Sequence, residues 1–185
     1  GAAAGLALSG KTVCASTFAM FAAGRAFEVI RNSIGYTGAN VKICATHAGI
    51  TVGEDGASHQ TFEDLALMRT IPGMTVINPC DGVSAEELLR QAISYDGPCY
   101  IRLGRAAVPV FYQQGADIKL GRGNWLRRGD KATVVATGIM VSEAMEAAER
   151  LAAEGIEIGV IDMHTIKPID EEILVEAAET GPVVT

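Results

Sequence analysis

At 185 residues, 49% hydrophobic but only 5% aromatic, the chain can fill one full domain or two small ones, with a core of Ala, Val, Ile and Leu rather than large rings. Its net charge of −7 comes from acids and bases scattered along the sequence, with no basic stripe to track a phosphate backbone, which excludes nucleic acid as a partner. No apolar run approaches the roughly 20 residues of a membrane span, and the opening residues carry no positively charged leader pattern, so a cytoplasmic protein without membrane attachment is expected.

In chain order, an Ala-rich helix comes first. It contributes to Gly5-x-x-x-x-Gly10-Lys11-Thr12, which satisfies the phosphate-loop pattern letter for letter. That loop needs a strand before it and a helix after it, and here the order is reversed, so Gly10 is expected to close the helix instead. Short β-branched runs at 12–16, 41–46, 74–78 and 99–103 then alternate with helical patterns at 18–34, 63–69 and 84–94. This alternation predicts an α/β fold of right-handed βαβ units on a parallel sheet. Ser84 with Glu87 forms a candidate capping box for the third helix, with Asp81 as a rival cap.

Residues 113–131, rich in Gly, Arg and Lys around Trp125, are expected to connect two domains, 1–113 and 114–185. Beyond them the pattern predicts a strand at 132–137, a helix at 142–154 stopped by Gly155, a strand at 156–161, a helix at 170–179 and a truncated strand at 182–185. The second, smaller α/β domain is therefore expected to be incomplete. No Gly-x-Gly-x-x-Gly follows a strand, so a dinucleotide site has no support.

Cys14, Cys44, Cys80 and Cys99 are widely spaced, form no Cys-x-x-Cys pair and are expected to be reduced core residues. His47, His59 and His164 do not stand at helical ligand spacing, so no metal site is expected in this chain. The informative segment is 46–60, Thr-His-Ala-Gly-Ile-Thr-Val-Gly-Glu-Asp-Gly-Ala-Ser-His-Gln, which follows a predicted strand. Open parallel sheets bind ligands at the carboxyl ends of their strands. Here that edge would carry two imidazoles to relay protons, carboxylates to orient a hydroxyl, and glycines that admit a ligand to the backbone. On composition alone the same segment is equally a solvated turn.

Three segments in this order resemble transketolase: Ala15-Ser16-Thr17-Phe18-Ala19-Met20-Phe21, the loop at 46–60, and Asn78-Pro79-Cys80-Asp81-Gly82. The likeness is specific over about 1–105. It continues more weakly through Asp162-Met163-His164-Thr165-Ile166-Lys167-Pro168, which resembles the transketolase C-terminal domain. The resemblance implies a pyrimidine-binding domain of thiamine-diphosphate enzymes followed by part of that C-terminal domain, and is nearest to the family's separately encoded C-terminal subunit. It implies transfer of a two-carbon ketol unit from a ketose phosphate to an aldose phosphate. No Gly-Asp-Gly diphosphate motif occurs, so an N-terminal transketolase subunit or domain is expected to hold the diphosphate and its Mg or Ca, in a dimer or heterotetramer. The family's activating glutamate precedes the Ala-rich helix, whereas the first acidic residue here is Glu28, so an upstream segment is expected to supply it.

Carried over by position, Phe18 and Phe21 correspond to aromatics that hold the aminopyrimidine ring, although Phe at i and i+3 on a helix is also an ordinary core pattern. A third family aromatic corresponds to Gly24, implying a looser pocket or one filled by the partner chain. His47 and His59 correspond to histidines near the reacting carbonyl and the sugar hydroxyls, and Asp55 to the reader of the adjacent hydroxyl. Arg105 falls where the family places an arginine on the sugar phosphate, with Arg102 as a rival, while His164 is expected only to cap or to sit in a loop. Deoxyxylulose-phosphate synthase shares the Gly-Glu-Asp-Gly-x-x-His pattern but usually carries Asp-Arg where this chain has His47-Ala48. The 2-oxo-acid dehydrogenase beta subunit lacks the pattern. A non-catalytic assembly or regulatory module of the same fold is the alternative from another class.

Overall fold

A computed structural model describes all residues, 1–185. Its contacts divide into two units, 1–77 with 89–107 and 78–88 with 108–185. No helix is long and apolar enough to cross a membrane.

The first unit opens with helix α1 (Ala2–Leu8), whose C-cap is Ser9. Gly10 lies one residue further, at φ 88. Its N–H reaches the Ala7 carbonyl and the Lys11 N–H the Leu6 carbonyl, the paired bonds of a Schellman ending. The phosphate-loop look-alike is thus spent on a helix terminus. Strands β1 (Val13–Phe18), β2 (Val41–Thr46), β3 (Thr75–Ile77) and β4 (Cys99–Arg102) lie in the order β1-β2-β4-β3, all parallel. Phe18, expected to begin a helix, is the last residue of β1. The turns that follow are wide π-type turns, Phe21–Arg25 and Ile30–Gly35, separated by the α-turn α2 (Phe27–Val29). Helix α3 (Asp64–Thr70) precedes β3, and α4 (Gly82–Ser94) precedes β4. Both faces of β2 are covered near its start, where Val41, Lys42 and Ile43 are all buried, as expected of a parallel sheet. Buried Lys42 satisfies its ammonium on the Tyr95 and Gly97 carbonyls at 2.7 and 2.5 Å.

The second unit is built on the order β5-β7-β6-β9, from β5 (Asn124–Arg127), β6 (Ala132–Ala136), β7 (Ile158–Asp162) and β9 (Val183–Val184). Helices α5 (Met140–Ala152) and α6 (Glu171–Thr180) and the short strand β8 (Thr165–Lys167) complete it. The expected connection at 113–131 contains β5, which pairs antiparallel with β7. Trp125 packs against Ile161, Met163, Ile173 and Ala177 and donates its indole N–H to Glu176 at 3.0 Å, so it is a wall of this core. Asp81 wins the capping contest, taking the Ser84 N–H at 2.8 Å on one oxygen and the Phe111 and Tyr112 N–H groups on the other. All four cysteines are free; Cys80 and Cys99 are buried as expected, Cys44 is half-buried, and Cys14 is exposed because it lies with Ser16 on the open face of β1, opposite to Val13 and Ala15.

Candidate functional site

Parallel pairing puts all carboxyl ends on one edge of the first sheet. Phe18 pairs with Thr46, and Ala45 with Arg102, so the residues just beyond β1, β2 and β4 emerge together. His47 is the one non-glycine residue with positive φ, at 57°. That left-handed conformation is costly for a side chain of its kind and tends to occur at functional sites. It is held from both sides, by the hydrogen bond from the Ala48 N–H to the Leu103 carbonyl at 3.1 Å and by a contact of 3.1 Å between Nδ1 and the Thr46 hydroxyl. In consequence the imidazole lies flat on the Phe18 ring, with centroids 3.9 Å apart and planes 14° from parallel.

Phe18 and Phe21 lie nearly parallel at 6.1 Å despite coming from a strand end and a wide turn. His59 meets both edge-on, at 5.7 and 5.2 Å, and the Arg25 guanidinium stands 5.0 Å from the centre of the Phe21 ring. Both phenyl rings and both imidazoles are half-buried. At Gly24, where the absent third aromatic suggested a looser pocket or one filled by the partner chain, the exposed backbone has the Met20 methyl beside it, 2.9 Å from where a Cβ would stand.

The loop after β2 turns at Gly53–Asp55, and the Gly49 carbonyl accepts the Thr61 N–H at 3.1 Å where the chain returns. Asp55 stands between two cations or potential cations, 4.0 Å from His47 Nε2 and 3.6 Å from Arg105 Nε. Gly53, at φ 63, is favoured by its backbone conformation, and its lack of a Cβ leaves the Arg105 guanidinium its present place, since a Cβ would come 2.8 Å from one of its nitrogens. His59 Nδ1 contacts the Ser58 hydroxyl at 2.9 Å. Phe18, Phe21, His47, Asp55, His59 and Arg105 thus gather at one edge of one unit.

Arg102 points elsewhere, into a buried ion pair with Asp64 at 2.8 Å, and Tyr100 donates to the same carboxylate at 2.9 Å. Sequence reading missed this trio. Asp64 falls in the first turn of α3, where an acid is ordinary, and only the β4 register brings Arg102 to it. His164 lies wholly buried in the second unit, between Thr165 at 3.1 Å and Asn124 at 3.0 Å. Burial pushes its pKa down to about 4. No group of three or more His, Cys, Asp or Glu is disposed to hold a metal ion.

A family model described as transketolase, pyrimidine binding domain, matches residues 1–110, and one described as transketolase, C-terminal domain, matches residues 121–185. A putative transketolase C-terminal section from Methanocaldococcus jannaschii is 51% identical over 176 residues, covering 94% of this chain and 56% of that protein. The 6-deoxy-6-sulfo-D-fructose transketolase subunit of a Clostridium species is 43% identical over 186 residues, covering 100% of this chain and 58% of that protein. A solved split-gene transketolase, described as an inactive β4 tetramer, is 51% identical and superposes with a TM-score of 0.92, covering 100% of this chain and 60% of that one. The chain thus spans little more than half the length of the relatives it matches. Two matching domains in the same order, carried by the fold just described, mean that this chain belongs to the transketolase family.

Proposed function

We propose that the chain is the pyrimidine-binding and C-terminal half of a thiamine-diphosphate-dependent transketolase, moving a two-carbon ketol unit from a ketose phosphate to an aldose phosphate. The observation that carries this is the gathering of an aromatic pair, two imidazoles, a carboxylate and a loosely paired guanidinium at the carboxyl edge of one parallel sheet. A half-buried patch of parallel rings fits a flat heteroaromatic group such as an aminopyrimidine, which gains from stacking and from apolar burial. Thiamine diphosphate, when bound, supplies the electron sink that makes the carbon–carbon bond beside a ketone breakable.

The chain's own residues do the rest. Phe18 and Phe21 hold the ring, and His47 and His59 donate hydrogen bonds to, or exchange protons with, the carbonyl and hydroxyl oxygens of the sugar. Asp55 orients the neighbouring hydroxyl. Arg105, exposed and only loosely paired, is free to grip the terminal phosphate, whereas Arg102 is committed to Asp64. The metal and the diphosphate are held by an N-terminal subunit or domain, since this chain has no Gly-Asp-Gly motif and no metal-binding cluster. Subunit names among the relatives, and a β4 tetramer described as inactive, support a reading in which a second chain completes the enzyme. Four free cysteines fit a cytoplasmic setting.

The test is calorimetric titration of thiamine diphosphate with magnesium, alongside a ketol-transfer assay, on the chain alone and on the chain joined to its partner and to its own upstream segment. Tight binding and turnover are expected only in the assembly. There Phe18→Ala should weaken cofactor binding more than sugar binding. Tight binding and turnover by the 185-residue chain by itself would refute the split-site reading.

A further inference from the structure

Arg102 ends β4, and its register partner Ala45 lies two residues before His47. A guanidinium in this place could extend outward, as Arg105 does, or turn beneath the loop. It turns beneath. Nε donates to Asp64 Oδ2 at 2.8 Å and Nη2 to Oδ1 at 3.3 Å, a planar two-pronged grip that a lysine ammonium cannot reproduce. Asp64, the first residue of α3, is fully buried, and its Oδ2 also accepts the hydroxyl of buried Tyr100 at 2.9 Å.

The same guanidinium stands beside Gly49, where a Cβ, if present, would be in van der Waals contact with Nη2 at 3.5 Å. Gly49 is on the outgoing limb of the loop, directly after His47 and Ala48. Its carbonyl accepts the N–H of Thr61 on the returning limb, and Asp64 follows three residues later. Arg102 therefore lies beside one limb of the loop, where a side chain on Gly49 would meet it, and anchors the other through Asp64. Something must hold that loop stem, because His47 sits in a backbone region that residues with side chains seldom adopt.

We infer that Arg102, acting through Asp64 and Tyr100, is a positioning residue that locks the two limbs of the loop so that the His47 and His59 imidazoles face one space. The inference rests on the proposed role of those histidines in ketol transfer. Arg102 does not meet the sugar, so its loss should lower kcat far more than it raises KM.

The experiment is Arg102→Lys in the full natural chain joined to its diphosphate-binding partner. The lysine keeps a positive charge opposite Asp64 but removes the fork. A fall in kcat of roughly 10- to 100-fold is expected, because small misplacements of reacting groups are costly in rate, with KM changing by less than about threefold. The imidazole resonances of both His47 and His59, followed by selective histidine labelling, should shift. Tyr100→Phe removes one donor to the same carboxylate and should move both readouts in the same direction by less; it carries the test if Arg102→Lys does not accumulate. Unchanged kcat and unchanged imidazole signals in a folded variant would overturn the inference. A KM rise confined to phosphorylated sugars would overturn it too, by placing Arg102 on the substrate. If instead His47→Ala retained full turnover while Arg102→Lys still shifted the imidazole signals, the functional reading would fall and the positioning would stand.

Discussion

The chain's three histidines end in two kinds of surroundings. In the first unit His47 and His59 stay half-buried against phenyl rings, and the nearest carboxylate to His47 is 4.0 Å away. In the second unit His164 is fully buried, with both ring nitrogens occupied by Thr165 and Asn124. The carboxylates divide in the same way. Asp55 is partly exposed and loosely shared between His47 and Arg105, whereas Asp81 is buried with both carboxylate oxygens hydrogen-bonded. Polar groups left with open valences at a strand edge can exchange partners with an incoming ligand, while saturated ones define a fold. The open groups of the first unit mark its candidate site, whereas His164 and Asp81 serve the fold of the second.

The sharpest way to break that contrast is to remove imidazoles from each side. In the assembled enzyme, His47→Ala or His59→Ala should cut ketol-transfer turnover by about 10² to 10⁴-fold with the folded state intact, the range expected for a lost acid or base. His164→Gln should leave turnover nearly unchanged but lower the denaturation midpoint, since it strands buried partners. Steady-state assays and urea titrations on the same three proteins decide it. Full turnover in both loop variants would remove the loop from the chemistry.

The second contrast is between carboxylates and concerns pH. Asp162 Oδ2 accepts the Tyr112 hydroxyl at 3.0 Å, and Oδ1 has no partner. Burial, reinforced by the nearby Asp81 charge, outweighs the hydrogen bonds from Cys80 and Tyr112 and raises its pKa from 3.8 to about 7. The native state then keeps a proton that the unfolded state has released. This contribution to stability is complete below about pH 4 and is lost as pH rises through about 7. His164 has the opposite sign. Its depressed pKa stabilises the fold above about 6.5, and that is lost as pH falls towards 4. The two slopes oppose each other between about pH 4 and 6.5. Asp162→Asn removes one of them, so its stability relative to the parent should improve by on the order of 2 to 4 kcal/mol between pH 4.5 and pH 8. A pH-independent difference in urea unfolding would mean that Asp162 is not held protonated by burial.

Much of this division was legible in the residues. Alternating β-branched and helical runs located β2, β4, β6 and β7 to within a residue or two, because a buried parallel strand needs little more than such a run. The loop at 46–60 announced itself by packing histidines, acids and glycines after a strand. What could not be read were features that depend on register. The β-strand position of Phe18, the commitment of Arg102 to Asp64, and the interment of Lys42 under two carbonyls all follow from which strands lie side by side. β5 was hidden for a different reason. Its Asn-Trp-Leu-Arg is flanked by glycines and basic residues, and an antiparallel edge strand half-open to solvent has no apolar run to show. Cys14 looked like core because its neighbours are apolar, yet alternation along β1 turns it to the open face of the strand.

Arg105 supplies the finest test, because it separates ligand binding from folding at one residue. Its ion pair with Asp55, 3.6 Å long with side chains 41% and 33% exposed, is screened by water and contributes at most about 1 kcal/mol to stability. Gly53 leaves room for it, and no other carboxylate claims it. Against a doubly charged terminal phosphate the same guanidinium can make charge-assisted bonds worth about 1.5 to 3 kcal/mol. Arg105→Ala should therefore raise KM for phosphorylated sugars by roughly 10- to 100-fold, with little change for sugars without an anionic end. The urea midpoint should hardly move. Arg105→Lys should recover part of the loss, since a point charge still attracts phosphate but cannot match its geometry. Equal KM increases for charged and uncharged sugars would show that the arginine shapes the loop through Asp55 instead. A large drop in stability would place it with the saturated groups of the second unit rather than with the open ones of the first.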